Sequence, residues 1–347
     1  MHVDSGRSWR GGQRQALLLA TGLHDRGYRT LVVGPAGSPL VQRAERAGLP
    51  TYRLTLRAEW DLRRARELRA AAREWGADII HAHDARSHSI ALLARIFRKK
   101  IHLVVTRRVA FPPKRVRFKY GRGVDAFIAI SHAVKNAMVS AGVRSDRIEV
   151  VYSGVPVQQV KSPRDWRRER GWPANSVVCG MVGAMTREKG LDSVAAIATR
   201  LPADIRARVR VVLLGGKGKG ETDIAGVEGF DAGFVEEIHD AVAGLNLLWH
   251  PARSEGLGTA VIDAMALGVP PIAFAVGGLP ELIEDGTSGR LVPAGDIDGF
   301  ACAAAELATD ETLRARLADG ARKRAREFDA QRMIERTAEV YQRVITG

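Results

Sequence analysis

A segment around residue 255 has the residue types and spacing of a ligand site. Glu255 precedes a glycine turn at 256–258, and Asp263 follows Glu255 by eight residues. The pattern predicts that Glu255 ends a strand and that Thr259 caps the helix that follows. Free N–H groups at a helix start favour anions. Two carboxylates beside that start are suited to two hydroxyl-bearing parts of one phosphorylated ligand. The alternative is an ordinary capped surface helix.

Two further segments place polar groups at predicted strand ends. Lys189 lies between a predicted strand and a predicted helix in residues 181–194, a position at which a lysine can serve a ligand site; a solvated surface lysine is the alternative. His81 and His83 share one face of a strand end. They could remain buried and hydrogen-bonded or bind a metal, for which no third ligand at metal spacing is visible.

The elements that must position these residues follow a β-α alternation, which predicts mainly parallel sheets with helices on both faces. Strands are expected at 30–34, 78–81, 102–106, 126–130, 148–152, 177–182, 209–214, 246–249, 271–274 and 290–292. Helices are expected at 13–26, 62–75, 87–97, 133–141, 191–201, 259–267, 297–308 and 330–345. A first strand is truncated or missing, because only His2 and Val3 precede the first loop.

A proline-rich, charged seam at 153–176 divides the pattern into two domains, at 1–158 and 159–329. The helix that begins at residue 330 is expected to return to the N-terminal domain.

The net charge of the 347-residue chain is +14. Residues 1–160 hold 29 Lys and Arg against 12 Asp and Glu, whereas the remainder holds 24 against 27. An anionic partner should therefore meet the first half.

Other functional classes find little support in the composition. The two cysteines lie outside any C-x-x-C pattern, which fits a reducing compartment. No apolar run is long enough to span a bilayer, and the N-terminus has no apolar signal segment, so we expect a cytoplasmic protein. The stretch Gly215–Gly220 is not a phosphate-binding P-loop, because Glu221 stands where lysine is required.

Residues 253–296 are similar to the E-x7-E region of family 4 retaining glycosyltransferases. The resemblance continues through residues 9–23, 77–89 and 181–194 and so covers nearly the whole chain. It implies a GT-B fold, in which two Rossmann-like, doubly wound parallel-sheet domains face a cleft. It also implies transfer of a sugar from a nucleoside-diphosphate sugar with retention at the anomeric carbon, with no cofactor and no metal.

The resemblance implies a role for each matching residue. Glu255 contacts the donor sugar as a positioning residue, and His83 lies near that sugar. Asp263, which stands where glutamate is usual, holds the ribose. The diphosphate is bound by Gly12, Arg187, Lys189, Gly258 and Thr259. Arg187 substitutes for an arginine that is replaced here by Ala184. The favoured family mechanism is front-face displacement, in which the leaving phosphate oxygen helps to deprotonate the acceptor.

The acceptor is expected to meet the N-terminal domain. Residues 98–123 carry ten Lys and Arg, no acidic residue and several aromatic residues. This composition suits an anionic membrane face or an envelope glycolipid such as lipopolysaccharide, on the inner face of the cytoplasmic membrane; a solvated loop is the alternative. The predicted surface residues are Arg107, Arg108, Lys114, Arg115, Arg117 and Lys119.

The sequence departs from the family pattern in one further region, and two other functions are alternatives to glycosyl transfer. In the family, a long helix normally follows the segment that matches residues 211–223, and this region borders the nucleobase. In the present sequence that helix is expected to be shortened or lost. A UDP-sugar donor is slightly favoured over a GDP-sugar. A UDP-sugar 2-epimerase on the same fold is the main alternative. Nucleic-acid binding is suggested only by the basic charge, and the chain lacks a recognisable nucleic-acid motif.

Overall fold

The computed structural model describes residues 1–96, 101–113, 116–156, 160 and 162–347. It divides into two compact units, one formed by Met1–Gly154 with Ala330–Gly347 and the other by Val155–Asp329. The predicted boundary between residues 158 and 159 lies outside the described residues. None of the described helices is long and apolar enough to cross a membrane.

The first unit is built around a parallel sheet. Its strands are β1 His2–Val3, β2 Val32–Gly34, β3 Thr51–Arg53, β4 Ile79–Ala82, β5 His102–Arg107, β6 Ala126–Ala129 and β7 Ile148–Val150. Its helices are α1 Gly11–His24, α2 Pro39–Arg46, α3 Leu62–Trp75, α4 Ala85–Ile96, α5 Val116–Lys119, α6 His132–Ser140 and, from the end of the chain, α15 Ala330–Thr346. Within the described residues the sheet order is β3-β2-β1-β4-β5-β6-β7.

The first strand has only two residues but lies in the middle of this sheet. His2 pairs with Val32 on one side and with His81 on the other. Because all the pairings in this sheet are parallel, the loops after β1, β4 and β5 leave it at the same edge. The truncated strand therefore still places residues 4–12 beside the end of β4.

The last helix, α15, belongs to this first unit and packs against α1. Leu19 and Leu23 of α1 share an apolar cluster with Met333, Ile334 and other residues of the sheet and α15. The contact is close at Gly22, where an added Cβ would lie 2.2 Å from Ile334 Cδ1. Both helices present an apolar stripe to the same face of the sheet, as their amphipathic patterns require.

The second unit repeats this plan. Its strands are β8 Val177–Val182, β9 Val209–Leu214, β10 Gly220–Ile224, β11 Val227–Gly233, β12 Leu247–His250, β13 Pro271–Phe274 and β14 Arg290–Val292. Its helices are α7 Trp166–Arg170, α8 Leu191–Arg200, α9 Ala203–Arg208, α10 Ile238–Ala243, α11 Thr259–Ala266, α12 Leu279–Leu282, α13 Ile297–Thr309 and α14 Glu311–Ala325. Among the described strands the order is β10-β11-β9-β8-β12-β13-β14. The core of this unit includes the edge-to-face rings of Trp249, Phe274 and Phe300.

A β-hairpin occupies the region where a shortened or missing helix was expected. Strands β10 and β11 are antiparallel, and β11 joins the sheet beside β9. The preceding glycine loop folds around the carboxylate of Asp231, which accepts the backbone N–H groups of Lys217, Gly218 and Gly233 at 3.0–3.2 Å. The concave loop thus holds an anion from its own chain.

Asp231 should contribute to stability in a pH-dependent way. Burial raises the pKa of its carboxyl group, but the backbone N–H groups outweigh this effect and lower it. We expect Asp231→Ala to reduce the free energy of unfolding by about 1.5–3 kcal/mol at pH 7. A lowered pKa in the folded state means that this contribution is complete above the unfolded value of about 3.9 and is lost as the pH falls below it.

Urea unfolding at pH 7 and at several pH values well below about 3.9, through the lowered pKa of the folded state, measures this difference. Asp223→Ala in the same hairpin is the control, since this exposed carboxylate accepts one turn N–H, from Gly226. Equal losses of stability in the two variants at pH 7 would show that the loop does not depend on the Asp231 carboxylate.

Candidate active site

Glu255 lies in the loop between β12 and α11, five residues after β12 ends at His250. The prediction that Glu255 itself ends a strand is therefore wrong, since the strand stops at His250 and Pro251 follows it. The backbone of Glu255 is fixed by its carbonyl oxygen, which accepts the N–H of Gly278 at 3.2 Å. At Gly277, φ is +54° and an added Cβ would lie 1.7 Å from the same carbonyl oxygen. Only glycine fits this close approach of two loops.

Two nitrogen donors hold the side chain of Glu255. Its Oε2 atom lies 2.6 Å from Lys189 Nζ and 3.0 Å from His250 Nε2. Burial by itself would raise the pKa of Glu255, but the bonds and charges of His250 and Lys189 lower it to about 2. A fixed carboxylate, ionised at neutral pH, thus lies in the loop before α11.

Helix α11 begins at Thr259, but the prediction that Thr259 is its N-cap is wrong. Gly258 occupies the N-cap position with φ +104°, and no described side chain caps this helix start. No acidic residue lies in the first turn. Val261 N–H donates to the carbonyl oxygen of Gly258 at 2.9 Å. The N–H groups of Thr259 and Ala260 have no carbonyl partner within the helix, and the helix dipole favours an anion there. The uncapped start therefore suits a phosphate better than a capped one would.

Asp263 and Arg187 are the other side chains of this unit that were predicted to bind the sugar donor, and they lie in different surroundings. Asp263 is buried on α11, and its Oδ1 lies 3.1 Å from Nε2 of His239 on α10. Arg187 is 81% exposed and pairs with Asp192 at 3.4 Å. Asp192 also binds Arg253, which follows β12. The structure thus joins Lys189 to Glu255, while Arg187 points to a different carboxylate.

In the first unit, His83 belongs to a cluster of three buried imidazoles. His2 Nδ1 and His83 Nε2 are 3.0 Å apart, and His81 bonds through its two nitrogens to Tyr341 and Thr106. Burial lowers the pKa of each of the three histidines well below the usual range, so they are neutral. Three ring nitrogens lie within 4.8 Å of one another. The third imidazole, invisible at sequence spacing, is His2 from the neighbouring strand, and the bonds of His81 to hydroxyl groups favour a hydrogen-bonded cluster.

The predicted acceptor surface is only partly described. Lys114 and Arg115 lie outside the described residues, as does the side chain of Arg117. Lys119 is buried and pairs with Glu59 at 3.1 Å, so it is not a surface charge. Arg107 is half-buried and donates to Tyr120 Oη at 2.9 Å.

Arg108 is also half-buried, beside the first turn of α1 that contains Gly12. The prediction that Lys119 is a surface charge is therefore wrong, because Glu59 and the packing around it enclose this side chain, whereas Arg107 and Arg108 stay partly exposed. Exposed Phe111 and Phe118 remain on this side of the unit.

Comparison with known proteins places the chain in a family. Residues 9–159 match the family described as Glycosyltransferase Family 4, and residues 163–324 match that described as Glycosyl transferases group 1. The chain is 30% identical over 301 residues to D-inositol 3-phosphate glycosyltransferase of Kribbella flavida, covering 76% of this chain and 70% of that relative. The chain belongs to the family 4 glycosyltransferases.

Two further matches extend this result. The chain is 29% identical over 354 residues to 2-deoxystreptamine N-acetyl-D-glucosaminyltransferase of Streptomyces fradiae, covering 86% of this chain and 83% of that relative. The crystal structure of Anabaena HepE in complex with UDP-glucose matches with a TM-score of 0.85, 23% identity and 98% coverage of both chains. The predicted GT-B fold, with two Rossmann-like parallel-sheet domains, is confirmed.

The sequence analysis of this family 4 glycosyltransferase did not predict His250 and Asp4 as candidate site residues. His250 ends β12 and contacts Glu255, and Asp4 follows β1 and accepts the side-chain amide of Gln13 at 3.0 Å. Burial and the nearby charge of Asp84 raise the pKa of Asp4, against the opposing effects of Gln13, Gly6 and Arg108. The position of His250 directly after the strand predicted at 246–249 was the available signal, whereas no strand was predicted before Asp4.

The close approach at Gly277 leads to a stability prediction. Gly277→Ala should destabilise the glycosyltransferase by several kcal/mol, because a Cβ there collides with backbone. Gly286→Ala is the matched control: φ is +72°, but no atom lies within 4 Å of the added Cβ. It should cost only the left-handed strain of about 1–2 kcal/mol. Denaturant unfolding measures both variants, and equal costs would show that the loops do not constrain each other.

Proposed function

We propose that this protein transfers a sugar from a nucleoside-diphosphate sugar to a hydroxyl acceptor, with retention at the anomeric carbon and without a metal. The observation that carries the proposal is the Glu255 carboxylate, which is only 13% exposed and is held ionised by Lys189 and His250. It lies within residues 163–324, which match the family described as Glycosyl transferases group 1, and in the part of the chain that resembles the E-x7-E region. A carboxylate that remains charged when buried is suited to accept hydrogen bonds from sugar hydroxyls.

The leaving group defines the proposed roles of the surrounding residues. A departing nucleoside diphosphate gains charge, so fixed positive groups must lie where that charge develops. Lys189 Nζ and the uncapped start of α11 at Gly258 and Thr259 would supply this charge. Lys189 is shared, because the ammonium that neutralises Glu255 in the free protein can also donate to a phosphate. Asp263 would bind the ribose, while Gly12 and His83 would contact the donor from the first unit.

The proposed transfer step needs no reactant other than the sugar donor and the acceptor. The bond between the anomeric carbon and the β-phosphate oxygen breaks, and a bond from the acceptor oxygen forms on the same face of the sugar. The acceptor proton passes to the leaving diphosphate oxygen. Glu255 positions the sugar and stabilises the positive charge that develops on it, and it forms no covalent bond.

For the donor we favour a UDP-sugar over a GDP-sugar. For the acceptor we propose an anionic envelope glycolipid such as lipopolysaccharide, met at the inner face of the cytoplasmic membrane, and the charge of the first half supports this choice. A small cyclitol is the specific alternative, since two relatives are named for transfer to D-inositol 3-phosphate and to 2-deoxystreptamine.

A donor screen tests the activity. Release of nucleoside diphosphate from a panel of UDP- and GDP-sugars should occur with one donor and should rise when the correct acceptor is added. Envelope glycolipid and D-inositol 3-phosphate form the two acceptor arms. The product should have the anomeric configuration of the donor, and the rate should survive EDTA. Release of a free 2-epimer without any acceptor would instead identify the epimerase alternative.

Glu255→Gln and Lys189→Ala should each lower kcat/KM by about 10²-fold or more, because each removes a fixed charge at the reacting centre. Glu74→Gln, at an exposed position of α3 in the first unit, removes the same charge elsewhere and should leave the rate unchanged. Steady-state kinetics on folded variants decides the assignment. Wild-type rates in both site variants would contradict it.

A further inference from the structure

The two carboxylate oxygens of Glu255 have different surroundings. Oε2 lies 2.6 Å from Lys189 Nζ and 3.0 Å from His250 Nε2, so both donors share one oxygen. No donor among the described residues bonds Oε1, and the side chain is partly exposed. The contacts at Oε2 therefore fix the carboxylate within the protein and leave Oε1 to accept a hydrogen bond from a ligand.

The two donors that share Oε2 are anchored differently. His250 ends β12, where it pairs with Ala273 of β13, and its side chain is 4% exposed. Lys189 lies in the loop between β8 and α8, and its side chain is 30% exposed. A lysine carries its charge on a long, flexible stem, whereas an imidazole has few rotatable bonds. His250 is thus the fixed donor and Lys189 the mobile one.

Only the mobile donor is suited to leave Glu255. The ammonium of Lys189 can turn toward an incoming phosphate oxygen, because its stem allows several positions. If Lys189 were the sole partner, this movement would leave a largely buried carboxylate without a donor, and such a group is costly. His250 Nε2 is held by the strand and continues to donate to Oε2 when the ammonium moves away.

The ionisable side chains that bond Glu255 come from two elements. They are Lys189 from the loop after β8 and His250 from β12, while Arg253 in the loop after β12 pairs with Asp192. Burial raises the pKa of Glu255, whereas the hydrogen bond and charge of His250, followed by those of Lys189, lower it to about 2. Without His250, the effect of burial is opposed by Lys189 alone, so the pKa of Glu255 should rise.

We propose that His250 is a positioning residue that holds Glu255 in place while Lys189 moves to the diphosphate of the donor. Lys189 Nζ exchanges the carboxylate oxygen for a phosphate oxygen, and His250 Nε2 keeps its bond to Oε2. No covalent bond changes in this exchange, and no proton is transferred. The exchange rests on the proposed function, whereas the contact between His250 and Glu255 can be tested in the free protein.

Titration of the free, full-length protein tests the contact. Carbon NMR of protein labelled at the glutamate carboxyl carbons follows each group with pH, and the signal of Glu255 is the one that Glu255→Gln lacks. His250→Leu should raise the pKa of Glu255 by about 1 unit or more. His250→Gln, whose amide nitrogen replaces Nε2 as donor, should restore most of the difference. His24→Leu, at an exposed position of α1, is the matched control and should change nothing.

Steady-state kinetics with the active donor tests the exchange. The pH dependence of kcat/KM reports ionisation in the free enzyme, and that of kcat reports ionisation in the donor complex. In His250→Leu, activity should be lost at higher pH than in the wild type as the solution is acidified. The displacement should be larger for kcat than for kcat/KM, because Lys189 has left Glu255 in the complex. At neutral pH, kcat should fall about 10–100-fold.

The outcomes separate the two parts. If His250→Leu does not fold, His250→Asn replaces it, because the shorter amide does not reach Glu255. An unchanged pKa of Glu255 in either folded variant would overturn the role of His250, and equal displacements of kcat and kcat/KM would overturn the exchange. Failure to release nucleoside diphosphate from any donor would contradict the proposed function, while the titration of the free protein would still decide the role of His250.

Discussion

Parallel strand pairing is the constraint on which the candidate residues of each unit depend. Within each unit the central strands run in one direction, so the loops that follow them leave the sheet at one edge. In the first unit this brings Asp4, His83 and Arg108 to the ends of β1, β4 and β5. In the second unit it places the loop after β8, which carries Lys189, against the loop after β12, which carries Glu255.

The charged groups at these edges differ in how they are compensated. Glu255 has two nitrogen donors within 3.0 Å, and Asp231 is surrounded by backbone N–H groups. Both carboxylates are therefore stable as anions without a ligand. Arg108 has a single long hydrogen bond and lies at the positive end of a helix. Complete compensation of a charge indicates a preorganised group.

The basic segment after β5 shows why charge counts do not locate a surface. Its arginines and lysines produce the charge asymmetry of the chain, yet Lys119 is buried against Glu59 and Trp60. Arg107 is held by Tyr120 and the carbonyl oxygen of Phe111. Long side chains of this kind bury their stems and choose a partner in the fold, so composition indicates the sign of the field but not the accessible face.

The sequence alone determined the β-α alternation, several element bounds such as those of α3 and β8, and the positions of Glu255 and Lys189 after strands, because these follow from local periodicity and turn residues. The hairpin β10–β11 escaped prediction, since its short strands gain their stability from pairing with β9. Only the tertiary structure joined Glu255 to Lys189 and His250, His83 to His2, and Arg108 to the start of α1. Each of these contacts joins residues from different elements, and their distances depend on sheet order and packing, which no local pattern encodes.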